Sequence, residues 1–200
     1  MKKLLVVLGV LALVPGLALA QSPSYYVDYY SNNAGPVPGA PDQILRIINV
    51  GEAGTPLTSP TGDICANIYV FDNNQEMIAC CAQRITPNEL DSASVGTQLT
   101  NNPVTSVVPW AGVIKIALTP AGTKCDPTAA ALTVDTADAT LGVVFATHLQ
   151  VTGGAKFVTE TELLPSPLGL LEGAFLEQAC SFAKYLGSGK GTCTSSTPGK

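Results

Sequence analysis

Short apolar segments alternate with turn-forming ones along most of the chain. Gln43–Val50, Ile64–Phe71, Met77–Ile85, Val104–Val108, Gly112–Thr119, Leu141–Val151 and Ala155–Leu163 are rich in Val, Ile and Thr. Pieces such as GEAGTPLTSPTG and TPAGTKCDPTAA separate them. A period of two shows in several: Ile64, Ala66, Ile68 and Val70 share one face of their segment. About seven short strands with such turns predict a mainly β protein, an immunoglobulin-like β-sandwich, with a closed barrel as the alternative. The pattern changes after residue 165. SPLGLLEGAFLEQACSFAKYLGSG places Leu168, Leu171, Phe175, Phe182 and Tyr185 at helical spacing. Ser166 and Pro167 suit an N-cap and first helical position, and Gly187 a C-terminal stop. This amphipathic helix is expected to pack its apolar stripe on the sandwich, since it lacks the Lys/Arg flanks of a membrane-surface helix.

The first twenty residues, MKKLLVVLGVLALVPGLALA, follow a different logic. Lys2 and Lys3 precede an uncharged apolar run from Leu4 to Val14. Ala18-Leu19-Ala20 then offers small residues at the cleavage positions, so a secretory signal peptide cut before Gln21 is expected. The run is shorter than the roughly 20 apolar residues needed to span a bilayer. No cysteine follows Ala20 and no Arg-Arg pair is present, which argues against lipidation and the twin-arginine route. The organisation read from these patterns is a cleaved leader at 1–20 and a Tyr-rich and Pro/Gly-rich segment at 21–42. A β-sandwich at 43–165 and a helix with a Cys-containing tail at 166–200 follow. The expected compartment is secreted or periplasmic, with no integral membrane segment after cleavage.

Composition narrows the function classes. Of 200 residues 46% are hydrophobic and only 12% charged, about half the roughly 25% charge of ordinary soluble domains. Lys and Arg number 10 against 15 Asp and Glu. Losing Lys2 and Lys3 leaves 8 against 15, taking the formal charge from −5 to −7. An acidic chain without a basic cluster excludes nucleic acid as a partner.

Export raises the weight of Cys65, Cys80, Cys81, Cys125, Cys180 and Cys193. An even count in an oxidising compartment reads as three disulfides, and six cysteines allow 15 connectivities. A hairpin turn centred on Asn73 would set Cys65 opposite Cys81 and turn Cys80 to the other face, with Cys125 as its available partner. Cys180 and Cys193 suggest a local bridge at the end of the helix. The vicinal pair lacks the C-x-x-C spacing of zinc or redox sites, so no metal is expected there.

The stretches CANIYVFDNNQEMIACCAQRITPNEL, GVIKIALT, CDPT, ATHLQ and TETELL, with the helix running through Cys180 into LGSGKGTC, resemble a recurring group of exported bacterial proteins without assigned function. The resemblance spans roughly residues 25–195. Its most specific parts are the QEM-x-x-CC hairpin and the helix–Cys–GSG–Cys ending. Relatives often carry further cysteines two positions beyond Cys81 and Cys193, where this chain has Gln83 and Ser195. The resemblance implies secretion and a disulfide-stapled β fold, and it supplies no reaction or ligand.

Catalytic patterns largely fail, and no catalytic residue or cofactor is assigned. His148, the one histidine, would have to serve any Ser-His-Asp or Cys-His site. It falls with Val144, Ala146 and Gln150, and a solvated or edge position is expected. GSGKGT at Gly187–Thr192 departs from G-x-x-x-x-G-K-[ST] twice and ends a helix instead of opening one, which excludes nucleotide binding. Glu160 and Glu162 share a strand face without other signs of a cleft. Asp72, Asn74 and Glu76 sit in a turn whose Met77 and Gln83 break the EF-hand pattern. The strongest lead is YYVDYY. Tyr25, Tyr26, Tyr29 and Tyr30 could stack on carbohydrate or be donated to a neighbouring sheet in self-association, against the plainer reading of an edge strand. The function expected is a secreted, non-enzymatic surface, matrix or ligand-binding module. A subunit assembling by strand donation, and then a secreted hydrolase, are the alternatives.

Overall fold

The computed structural model describes residues 23–31, 42–51, 62–100, 109–133, 136–152, 155–186 and 193. Two antiparallel sheets face each other. The first contains β1 (Ser24–Ser31), β3 (Ile64–Asp72), β4 (Met77–Ile85), β6 (Ala111–Pro120) and β9 (Pro165–Pro167), in the order β4-β3-β6-β1-β9. The second contains β2 (Ile44–Asn49), β5 (Leu90–Ser94), β7 (Gly142–Thr152) and β8 (Ala155–Glu162), in the order β5-β2-β7-β8. Among the described residues one α-helix, α1 (Leu170–Leu186), completes the fold, beside short helical turns at Val95–Leu99 and Ala139–Leu141. This is the mainly β sandwich with a C-terminal helix that the pattern predicts. β2 to β6 follow the order of an immunoglobulin sandwich's central strands, while its first and last places are exchanged: β1 lies beside β6 and β7 beside β2.

The alternation read from sequence builds the core between the sheets. Ile64, Ala66, Ile68 and Val70 of β3 face inward with Ile114, Ile116 and Leu118 of β6, against Leu45, Ile47, Val144 and Ala146 of the second sheet. The other face of β3 is buried too. Tyr69 and Phe71 join Cys80, Ala117, Leu132, Leu168, Leu176 and Cys180 in a second cluster beneath α1. Helix, first sheet and second sheet thus form three layers, and β3 is covered on both sides.

Several expectations need correction. The sandwich begins before residue 43, because β1 of the Tyr-rich segment belongs to it, and as an inner strand instead of an edge: it pairs with β6 from Tyr26 to Ser31 and with β9 from Ser24 to Tyr26. β5 and β9 escape the apolar pattern, being the polar LDSAS and the trio PSP. Ser166 and Pro167 pair with Tyr25 and Ser24 instead of capping the helix; α1 begins after Gly169, whose carbonyl accepts from the Gly173 N–H. Val104–Val108 and Gly187 lie outside the described residues.

All six cysteines are paired, in a connectivity different from the one expected: Cys65–Cys125, Cys80–Cys180 and Cys81–Cys193. The hairpin turn lies further along the chain than Asn73, with Gln75 at a φ of 70°, so Cys65 faces Arg84 and Cys81 faces Ile68. Cys65 and Cys80 therefore share the outer face of the first sheet, where each meets the covering layer, the former at Cys125 and the latter at α1. Cys81 points into the sandwich core and meets Cys193 there.

Candidate functional site

β1 holds the lead residues inside its own sheet. Alternation turns Tyr26, Asp28 and Tyr30 into the sandwich and leaves Val27 and Tyr29 exposed. The Tyr26 hydroxyl donates to the carbonyls of Ala139 and Gly142, both at 2.8 Å, and Tyr30 donates to the Phe71 carbonyl at 3.0 Å. Burial, reinforced by the charges of Glu162 and Asp138, pushes the Tyr26 phenol up to about 12. Burial also raises Tyr30. β1 is hydrogen-bonded to β6 on one side and to β9 on the other. Donating it to a neighbour means withdrawing it from between them.

A buried polar cluster joins the two sheets between these tyrosines. His148 on β7 is not solvated as expected; it is buried, with Nε2 and Asp28 Oδ1 hydrogen-bonded at 2.9 Å. Alternation assigned its face correctly, but its partner lies 120 positions away in sequence. The Gln43 amide donates to Asp28 Oδ2 at 2.9 Å and to the Tyr29 carbonyl at 3.1 Å, and accepts from the Ser31 N–H at 3.2 Å. The Tyr29 ring stacks on the imidazole at 4.6 Å between centroids. Burial raises the Asp28 pKa above the ordinary carboxylate value, against the opposing effects of His148 and the hydrogen bonds from Tyr29 and Gln43. An Asp-His pair is the base half of a hydrolytic triad. Among the described residues, however, no hydroxyl or thiol side chain is hydrogen-bonded to this imidazole. The cluster ties β1 to β2 and β7 in place of a charge left unpaired in the core.

The remaining candidates are held in local structure. The Asp72 carboxylate accepts the N–H groups of Asn74 and Glu76 at 2.8 and 2.9 Å, closing the β3–β4 turn. Glu160 pairs with Arg46 on the exposed face of the second sheet. Glu162 lies opposite Phe145. A cleft of about 190 Å³ lies between two disulfides, lined by Cys81, Cys125, Cys193, Pro127 and Lys184 among others. It is smaller than the roughly 300–1,000 Å³ of typical small-molecule sites. Among the described residues no helix is long and apolar enough to cross a membrane, and no group of His, Cys, Asp and Glu is placed to hold a metal.

The most unusual surface is on α1, and its orientation reverses the sequence reading. Gly173, Leu176, Cys180 and Ala183 face the first sheet. Leu171, Phe182 and Tyr185, expected to pack inward, are exposed, while Phe175 is half-exposed, one side of its ring stacked on Phe71 at 6.2 Å between centroids. The Cys80–Cys180 bridge draws the helix down onto β4, and at Gly173 a Cβ would lie 2.8 Å from the Leu132 carbonyl oxygen. Small residues are needed at so close an approach, so the large apolar ones fall on the other side. Every charged side chain of α1 is turned to its own sandwich: Glu172 pairs with Lys115, Lys184 with Asp126, and Glu177 accepts from the Leu132 N–H. The outward face has no charge.

No protein-family model matches the chain, and no curated protein matches it. Among solved structures it is similar to the Anabaena sensory rhodopsin transducer, at 12% identity over 46% of this chain and 86% of that one. The TM-score of 0.32 is too low to carry an argument.

Proposed function

We propose that this chain is an exported, non-enzymatic interaction module, a disulfide-stapled β-sandwich that presents the outward face of α1 to a partner. The observation that carries the reading is the exposure of Leu171, Phe175, Phe182 and Tyr185 on a helix whose charges are all spent on its own body. Large uncharged apolar patches are uncommon on monomers and mark association surfaces. Three disulfides suit an oxidising compartment, secreted or periplasmic, as does the leader at 1–20. Assembly by donation of Tyr25–Tyr30 is the less favoured route, since β1 already has a neighbour on each side. Within the Tyr-rich segment a carbohydrate partner is supported by the exposed ring of Tyr29, which is already stacked on His148.

The test is a blue native gel, in which bound anionic dye sets the charge so that mobility reports size, of the exported fraction from cells making either the natural chain or the Phe175→Glu/Phe182→Glu variant. The natural chain is expected to migrate in an assembly larger than one chain, and the folded variant as a monomer. Identical migration of the two would refute the reading.

A further inference from the structure

Resting on that reading of α1 as an association surface, we infer that the occupant of its outward face is a second copy of this chain, with the two helices packed antiparallel about a two-fold axis at Gln178. The helix runs from Leu170 to Leu186, and Gln178 is its central residue. Leu171, Phe175, Gln178, Phe182 and Tyr185 recur at spacings of four and three, the seam spacing of paired helices. The seam reads nearly the same from either end. Antiparallel pairing sets Leu171 against Tyr185, Phe175 against Phe182 and Gln178 against itself in the second copy. The small residues Ala174 and Ser181, both exposed, also fall opposite one another and let the helix axes approach to about 8–10 Å.

Chemistry favours this occupant over others. Gln carries both donors and an acceptor, so two Gln178 amides across a two-fold axis satisfy each other in an otherwise apolar seam. The seam has no charge to repel its own copy, and antiparallel helices set their macrodipoles head to tail. Area supports it as well. Phe175, Phe182 and Tyr185 are 49%, 62% and 81% exposed, and Leu170, Leu171 and Leu186 are 66%, 89% and 50% exposed. With about 150–250 Å² per aromatic residue and somewhat less per leucine, the face amounts to about 700 Å². That exceeds the largest patch of most monomers and approaches the roughly 800 Å² each partner buries in a standard interface. A lipid surface fits less well, because Lys184, the helix's one basic residue, is turned toward Asp126.

Sedimentation equilibrium of the purified exported chain, with and without Phe175→Glu/Phe182→Glu, tests the pairing. The natural chain is expected to dimerise, and the variant, with all three disulfides and an unchanged melting point in dilute solution where both are monomeric, to bind at least 100-fold more weakly. Two single-cysteine variants read the orientation. Gln178→Cys should form a disulfide between copies on mild oxidation, and Leu171→Cys should not. Cross-linking by both variants would mean a parallel pair and would overturn the proposal, as would a natural chain that stays monomeric near 1 mM. A monomer that floats with neutral phosphatidylcholine vesicles through the same face would also overturn it. If the purified chain is monomeric while the native-gel assembly of the exported fraction still depends on Phe175 and Phe182, only the second copy is refuted and the interaction surface stands.

Discussion

Cys80 adjoins Cys81, and their partners Cys180 and Cys193 are also close in sequence, so the two bridges must be coupled energetically. Cys80–Cys180 alone spans 100 residues, and Cys65–Cys125 shortens that ring only to about 70, for which chain entropy gives about 4.4 kcal/mol. With Cys81–Cys193 already closed, the shortest path from Cys80 to Cys180 crosses that bridge and contains about 15 residues, for which the same relation gives about 3 kcal/mol. Cys80→Ala/Cys180→Ala should therefore cost about 1.4 kcal/mol less in the natural background than in one also carrying Cys81→Ala/Cys193→Ala. The cavity left by the fully buried Cys80 and Cys180 is common to both backgrounds and cancels in the difference. Urea unfolding of the four proteins, followed by far-ultraviolet circular dichroism without reductant, measures this. Equal costs in the two backgrounds, or a larger cost when Cys81–Cys193 is intact, would refute the entropic coupling.

Leu176→Ala, at a fully buried position on the underside of α1, should cost about 2–5 kcal/mol; Leu171→Ala, on the outer face, should stay within about 0.5 kcal/mol when the chain is dilute enough to be monomeric. Denaturation midpoints that rank the two in reverse would show the helix docked by its other side. Gly112→Ala would put a Cβ 1.9 Å from the Phe71 carbonyl oxygen and 2.6 Å from the Tyr30 hydroxyl. Because the nearest atom is backbone in the β3–β6 ladder, the variant should lose about 3 kcal/mol or more; a loss below 1 kcal/mol in urea would contradict that contact. Tyr26, raised from 10.0 to about 12 by burial first and nearby carboxylates second, favours the folded state in its neutral form. That contribution is complete below pH 10 and is lost as pH rises to 12, amounting to about 3 kcal/mol. Tyr26→Phe should be less stable at neutral pH but lose less between pH 10 and 12, and an unchanged alkaline slope would count against the buried phenol.

What the sequence made legible follows from which physical signals are local. β3, β4, β6 and β7 showed themselves because burial enforces alternation or a continuous apolar run within one strand. β5 hid because only Ala93 of LDSAS is buried, and β9 because PSP is held by three backbone pairings with β1. The helix was legible, but its facing was not. Its buried side consists mostly of small residues fitted under a disulfide, and a reading that follows the largest apolar side chains selects the opposite side. The opposed faces of Cys80 and Cys81 were readable from strand parity. Their partners were not, since each bridge depends on layers that meet only in the fold. The Asp28–His148 pair has the same cause: the histidine's face could be read, but not the carboxylate brought to it from β1.

The outward face of α1 is expected to be covered where the protein works and open when a single chain is dilute. Hydroxyl-radical footprinting of the protein in the cells that export it, and of the purified chain at nanomolar concentration, measures both states. Leu171, Phe175, Phe182 and Tyr185 are expected to be oxidised in the dilute chain and protected in the cells, with Leu176 protected in both. Equal oxidation of the four residues in both settings would contradict the account.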